Sequence, residues 1–235
     1  MPIILARIQW SFNNWRGWDQ QIYDAIKNEG KKELASYPYV EESGFGVEFW
    51  NFYEGFDPNY YYGSVVEKGK IHLKEAEGKI NLVFFVSYRK TAKTSLAEDT
   101  YLIGFYGYAE VIRGQTLIEV LTNALSEAKE LPKEILEELA NATQYLNLRS
   151  KKKYSALLPI KLKFNWQRYG LSPKTLSQAT FRYISKEQAK KILEDIRKSQ
   201  VLCSCYDKEL EVVIDPTILT KVDLVEEELE KGTYD

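Results

Sequence analysis

The fold is decided by two apolar stretches, KINLVFFVSY at residues 79–88 and YLIGFYGYAEVI at residues 101–112. Both are rich in β-branched and aromatic residues, which favour strands. Two such runs, joined by a polar loop, predict neighbouring strands of one sheet. Gly104 and Gly107 lie inside the second run. A phosphate-binding loop would need its glycines at a turn from strand to helix, so these glycines do not indicate one.

On the N-terminal side the sequence predicts further strands and one helix. The helix should begin at Asp19 and end near Gly30, because Ile22, Tyr23 and Ile26 fall on one face of it. A loop rich in tryptophan and asparagine, residues 10–17, precedes it. Additional strands are predicted at residues 3–9, 46–52, 60–66 and 71–74.

On the C-terminal side helices and strands alternate. The apolar residues take a helical period over 116–148, which predicts a helical hairpin. Residues 157–164 return to a strand-like alternation that turns Lys161 and Lys163 towards solvent. A capping-box pattern at 185–188 predicts the start of another helix. A last strand is expected at 210–214.

This order of elements predicts an α+β fold with a strongly curved or barrel-like mixed sheet and flanking helices. Residues 1–215 are predicted to form one domain that carries the helical insertion 116–148. The acidic segment 216–235 is predicted to be a peripheral helix or a linker.

The composition argues against several classes of protein. The chain has a single histidine, His72, which argues against most catalytic mechanisms that depend on an imidazole base. Cys203 and Cys205 are too close for an ordinary disulfide and lack partners for a zinc site, so we predict free thiols and no metal or cofactor. No stretch approaches eighteen apolar residues, and a cytoplasmic protein is expected. Abundant Lys and Glu fit the composition of a thermophile.

Charge is unevenly distributed although the net charge is only −2. Residues 139–186 carry ten basic and no acidic side chains, whereas the segments on either side are acidic. Such an acid-free block predicts a positive surface that binds phosphates. The alternative is that the fold scatters these cations and pairs them with acids from other segments.

Four segments resemble the PUA-like superfamily, particularly its EVE and YTH-like branches. They are the loop around Asn13–Trp15, the segment 47–51, the paired stretches 85–88 and 105–112, and the segment 181–193. The resemblance implies a domain that binds DNA or RNA and reads a modified, flipped base. More narrowly, it implies the N-terminal specificity domain of an archaeal McrB-type restriction protein, with a GTP-driven motor as partner.

The resemblance also implies a base pocket, which we expect to have aromatic walls and polar edge readers. Stacking on an aromatic ring is worth about 1–3 kcal/mol per base and can offset the cost of extrusion. Amides and hydroxyls can read the edge of the base. The predicted pocket residues are Trp50, Tyr88, Asn13, Asn14, Asn51, Ser87 and Tyr106. The predicted phosphate contacts are Lys151, Lys152, Lys153, Lys161, Lys163 and Arg168.

Other interpretations stay open at the level of sequence. Trp50 and Tyr106 can be core residues. An RNA-binding domain without preference for a modified base would use the same residues, and an aromatic-rich protein-interaction domain is a further alternative. An enzyme would have to use Glu48 and Glu110 as paired carboxylates, which we do not expect.

Overall fold

The computed structural model describes most of the chain. The described residues are 2–12, 14–17, 19–31, 47–65, 73–88, 99–112, 146–178, 180–205 and 217–233. The predicted hairpin therefore lies outside the described residues except for 146–148, and the predicted strand 210–214 lies outside them entirely.

The described part of the chain contains strands and helices in an α+β arrangement. The strands are β1 Ile3–Ile8, β2 Tyr60–Gly63, β3 Asn81–Tyr88, β4 Thr100–Val111, β5 Leu148–Lys151, β6 Ser155–Lys163 and β7 Phe181–Ile184. The α-helices are α1 Gln20–Lys27, α2 Pro173–Gln178, α3 Lys186–Cys205 and α4 Thr217–Glu230. Short 3-10 helices occupy Val47–Trp50, Leu73–Ala76 and Lys152–Tyr154.

The described strands form one mixed sheet in the order β2-β5-β4-β3-β1-β7, and β6 also pairs with β4. β1 and β3 are parallel, and the other pairs are antiparallel. β2 and β7 are the edges of this path, so the described strands form an open sheet and not a closed barrel. The α+β class and the mixed sheet agree with the prediction.

Both faces of the sheet are buried at β1 and β3, which explains why most residues of these two strands are apolar. Ile3 and Leu5 of β1 belong to a cluster that includes Ile192 of α3 and Val222 of α4; we call this side the helix face. The alternate residues Ile4 and Ala6 of β1 belong to a second cluster on the other side, the aromatic face. That cluster includes Trp15, Phe52, Tyr61, Phe85 and Tyr106.

α4 packs directly on the sheet at Gly107. A Cβ atom at this position would lie 2.2 Å from Cγ2 of Val225 and 2.4 Å from the carbonyl oxygen of Tyr154, so only glycine lets the helix approach this closely. The segment predicted as a helix or a linker is therefore a helix that contributes to the core. Its buried residues are Ile218, Val222, Val225 and Leu229.

Two of the predicted helices begin at a side-chain cap. The Asp19 carboxylate accepts a hydrogen bond from the Ile22 amide at 3.0 Å. The Ser185 hydroxyl accepts from the Gln188 amide at 3.2 Å, and the Gln188 side chain accepts from the Ser185 amide at 2.9 Å. This reciprocal pair is the capping box predicted from the sequence.

Three local predictions are wrong. In the strand predicted at 71–74, the described residues 73 and 74 instead begin a 3-10 helix, Leu73–Ala76. The strand predicted at 46–52 is a 3-10 helix over Val47–Trp50, because backbone bonds hold it to the tryptophan loop. The Gly17 amide donates to the Phe49 carbonyl and the Phe52 amide to the Trp15 carbonyl, each at 2.9 Å. The third error is at Leu148, which was placed in the helical hairpin and instead begins β5.

Candidate nucleic-acid interface

The structure buries most of the predicted base-pocket residues. Four of the predicted pocket residues lie in the interior, each at most 1% exposed: Trp50, Asn51, Ser87 and Tyr106. Tyr88 is half-buried at the end of β3, and Asn14 is exposed. Asn13 lies outside the described residues. In this conformation four of the seven predicted side chains thus offer no surface to a ligand.

The side chain of Asn51 binds the protein's own backbone. Its Nδ2 donates to the Ser64 carbonyl at 3.2 Å, and its Oδ1 accepts from the Ser64 amide at 2.7 Å. The Tyr106 hydroxyl donates to the Asn51 carbonyl, and burial raises the pKa of Tyr106 well above its usual range. The donor and acceptor pair expected to read a base edge is therefore used to fix the end of β2.

Trp50 and Ser87 also have structural roles. The Trp50 ring packs edge to face on Tyr53 with centroids 4.9 Å apart, and a Cβ atom at Gly17 would lie only 2.9 Å from it. The Trp50 indole nitrogen is buried and has no hydrogen-bond partner among the described residues. The Ser87 hydroxyl donates to the Ile8 carbonyl at 2.9 Å. Trp50 and Tyr106 are packed as core residues, which is the alternative that the sequence left open for them.

A different group of rings reaches the surface at one end of the sheet. Trp10, Phe12 and Tyr101, which we call the Trp10 cluster, are each half-buried. Trp10 packs edge to face on Phe12 at 6.5 Å and on Tyr101 at 5.7 Å. The cluster lies where β1 ends and β4 begins. The pocket predicted from the sequence did not include this cluster, although its Trp-x-Phe pattern directly follows a predicted strand.

Three consecutive lysines, 151–153, lie at the turn between β5 and β6; we call this segment the lysine turn. Each ammonium group lies over an aromatic ring. Lys151 is 4.3 Å from the Tyr108 centroid, Lys152 is 5.3 Å from Tyr61, and Lys153 is 4.7 Å from Tyr154. Lys152 also donates to the Glu54 carbonyl at 2.9 Å. Cation–π contacts hold these cations in place without cancelling their charge.

Lys161 and Lys163 lie at the other end of β6. Between Leu157 and Leu162, β6 advances five residues while β4 advances two, so Lys161 sits in a bulge. Leu162 packs on the helix face. Its neighbours therefore point towards the aromatic face, where the Lys161 ammonium lies 5.8 Å from the Trp15 centroid. Lys163 is exposed, as the alternation predicted, whereas Lys161 is half-buried.

Two arginines of the acid-free block are neutralised by carboxylates. Arg168 contacts Glu194 at 2.6 Å and Asp195 at 2.9 Å, both on α3. Arg149 contacts Glu110 at 2.6 Å. These two cations therefore follow the alternative in which the fold pairs cations with acids from other segments. Arg168 differs from the other predicted phosphate contacts because carboxylates neutralise it.

The two carboxylates considered for an enzyme have separate surroundings. Glu48 is buried, and one of its oxygens accepts from the Gln9 amide at 2.7 Å. Its pKa is raised to about 7, mainly because burial disfavours the charged form; the Gln9 hydrogen bond and the Arg7 charge lower it in part. Glu110, in contrast, is bound by Arg149. No described contact joins the two.

Within the described residues no group of three or more His, Cys, Asp or Glu side chains could hold a metal ion. A search of the same residues finds no helix with the length and apolar content of a membrane span.

Comparisons with known proteins give one similarity. No protein-family model matches the chain, and no curated protein matches it. A solved structure, the N-terminal domain of Thermococcus gammatolerans McrB bound to m5C DNA, is 12% identical, with a TM-score of 0.36. The similarity covers 85% of this chain and 99% of that one. At these values the likeness assigns neither a fold family nor a ligand.

Proposed function

We propose that this chain binds nucleic acid, with backbone phosphates held by the lysine turn, Lys161 and Lys163. The observation that supports the proposal is that these five cations lack carboxylate partners. Among the described residues none of them forms an ion pair with a carboxylate, and four are held by rings or carbonyl groups. Positive charge that is ordered and not cancelled is what a polyanion requires of its binding surface.

The spacing of these cations suits an extended polyanion. Lys163 pairs with Tyr101 of β4, and Lys151 lies over Tyr108 of the same strand. Seven residues of strand span roughly 23 Å at about 3.3 Å per residue. B-DNA has a phosphate about every 3.4 Å along each strand, so this distance corresponds to roughly seven base pairs. A B-form duplex shorter than this cannot reach both ends.

Base contacts are proposed at the Trp10 cluster. Its rings are partly exposed, and they lie at the end of the sheet that carries Lys161 and Lys163. Tyr88, a predicted pocket residue, pairs with Thr100 next to Tyr101. Stacking of an extruded base on these rings would contribute about 1–3 kcal/mol. A contact through Trp50 would first require its 3-10 helix to move away from Gly17.

A preference for a modified base, and a GTP-driven motor as partner, are finer parts of the same proposal. They rest on the sequence resemblance to PUA-like domains and on no contact in this structure.

The test is a binding titration with matched DNA and RNA oligonucleotides of about ten nucleotides or base pairs, with and without methylated adenine or cytosine. Each is titrated at several salt concentrations. The proposal expects affinity that falls steeply as salt rises, and the preferred oligonucleotide identifies the ligand. Absence of binding to every oligonucleotide at low salt would reject it.

A further inference from the structure

Arg16 and Lys161 are two neighbouring cations without an anion between them. Arg16 is exposed in the tryptophan loop, and the described residues provide no carboxylate partner for either group. The Lys161 ammonium lies 5.8 Å from the ring centroid of Trp15, the residue directly before Arg16. The pKa of Lys161 is lowered, first by desolvation and then by the charge of Arg16. Like charges repel, and an anion between them would relieve the repulsion.

Lys161 determines the orientation of the Asn14 side-chain amide. The ammonium group of Lys161 can only donate, and it donates to Oδ1 of Asn14. This bond fixes which end of the amide faces the lysine, so Nδ2 and its two hydrogens are directed away from it. The donors available around this loop are the remaining ammonium hydrogens of Lys161, the guanidinium group of Arg16 and the amide hydrogens of Asn14.

The backbone holds this arrangement in advance. Asn14 and Trp15 are consecutive non-glycine residues in the left-handed region, with φ of 58° and 56°. This conformation is unfavourable for a tryptophan and persists only where the surroundings impose it. Here Trp15 is fully buried, and its indole nitrogen donates to the Gln9 carbonyl at 2.8 Å. The anchored Trp15 therefore fixes the neighbouring Asn14 and Arg16 at the surface.

We propose that Arg16, Lys161 and the Asn14 amide form a binding site for one phosphate oxyanion. This inference rests on the proposed function: the occupant is the backbone phosphate beside the base that stacks on the Trp10 cluster. A guanidinium group can bind two phosphate oxygens at once, while the ammonium acts as a point charge. The site would fix the register of the strand relative to the rings.

The first test compares Arg16→Gln with Lys79→Gln, which removes one charge from an exposed lysine before β3. We expect Arg16→Gln to lower the slope of log affinity against log salt by about one and to weaken binding about eightfold at 0.1 M salt. Lys79→Gln should change neither. Arg16→Gln behaving like Lys79→Gln would overturn the site.

The second test needs no oligonucleotide, so it separates failure of this site from failure of the proposed function. NMR titration of the Lys161 side chain should show its pKa rising in Arg16→Gln. Inorganic phosphate should raise that pKa in the wild type and not in the variant. If no oligonucleotide binds, a phosphate response dependent on Arg16 still supports an oxyanion site, and its absence rejects one.

Discussion

Charge is held differently at the helices α3 and α4 and at the rings beneath Lys152 and Lys161. Around the helices of the helix face, cations are tied to acids: Arg197 contacts Asp223 and Glu226 at 2.5 Å, and Lys190 contacts Glu230 at 2.6 Å. At the rim of the aromatic face, Lys152 and Lys161 lie over rings instead. An ion pair within the protein neutralises the cation. A cation without a carboxylate partner keeps its positive charge and can attract an external polyanion. We propose that the paired cations serve packing and that the cations without acids serve binding.

The largest expected effect comes from removing a ring that the structure buries. Trp50→Ala should lower the free energy of unfolding by about 3–5 kcal/mol, because it deletes a fully buried indole. Chemical denaturation measures it, and Trp50→Phe is the control that keeps most of the packing. If the free energy of unfolding fell by less than about 1 kcal/mol and base discrimination were lost, Trp50 would be a binding residue and not a core residue.

The next effect concerns pH and the buried Glu48. Its pKa is raised from 4.5 to about 7 in the folded protein, so the folded state keeps its proton longer than the unfolded state. Stability should therefore fall as pH rises from about 4.5 to about 7, by on the order of 3 kcal/mol, and level off above that range.

Glu48→Gln tests this assignment, because glutamine is neutral and its carbonyl can still accept from the Gln9 amide. Denaturation curves of wild type and variant should converge at low pH, and the variant should be the more stable above pH 7. Parallel pH profiles of the two proteins would show that Glu48 does not titrate in this way.

A smaller effect is expected at the Trp10 cluster, and it should appear in binding. Trp10→Ala should weaken nucleic-acid binding by about 1–3 kcal/mol, roughly 5- to 150-fold, because it removes a stacking surface. The free energy of unfolding should change less than in Trp50→Ala, since Trp10 is only half-buried. Trp10→Phe keeps a ring and should retain most of the affinity. Unchanged affinity in Trp10→Ala would remove the cluster from the interface.

Much of the fold follows from local patterns in the sequence. The apolar runs predict β3 and β4, and the Ser185 to Gln188 pattern predicts the start of α3. These features are encoded by neighbouring residues. The 3-10 helix at Val47–Trp50 is not, because its sequence alternates like a strand and its conformation is set by bonds to residues 15–17. β5 was missed for a similar reason: its pairing with β2 and β4 defines it.

The candidate site was only partly predictable. The acid-free block and its alternation correctly indicated the exposed Lys163. The pairing of Arg168 with Glu194 and Asp195, 26 and 27 residues further along the chain, depends on how α3 packs and is invisible to a count of local charge. The burial of Asn51 likewise depends on a contact with Ser64, thirteen residues away.

The central proposal is that cations without a carboxylate partner bind nucleic acid and that cations paired with carboxylates do not. The most direct measurement is the salt dependence of oligonucleotide binding in two variants. One carries Lys151→Gln, Lys152→Gln and Lys153→Gln, and the other carries Arg168→Gln. We predict that the slope of log affinity against log salt falls by about three in the first and stays at the wild-type value in the second. Equal slopes in the two variants, or a larger loss in Arg168→Gln, would contradict the claim.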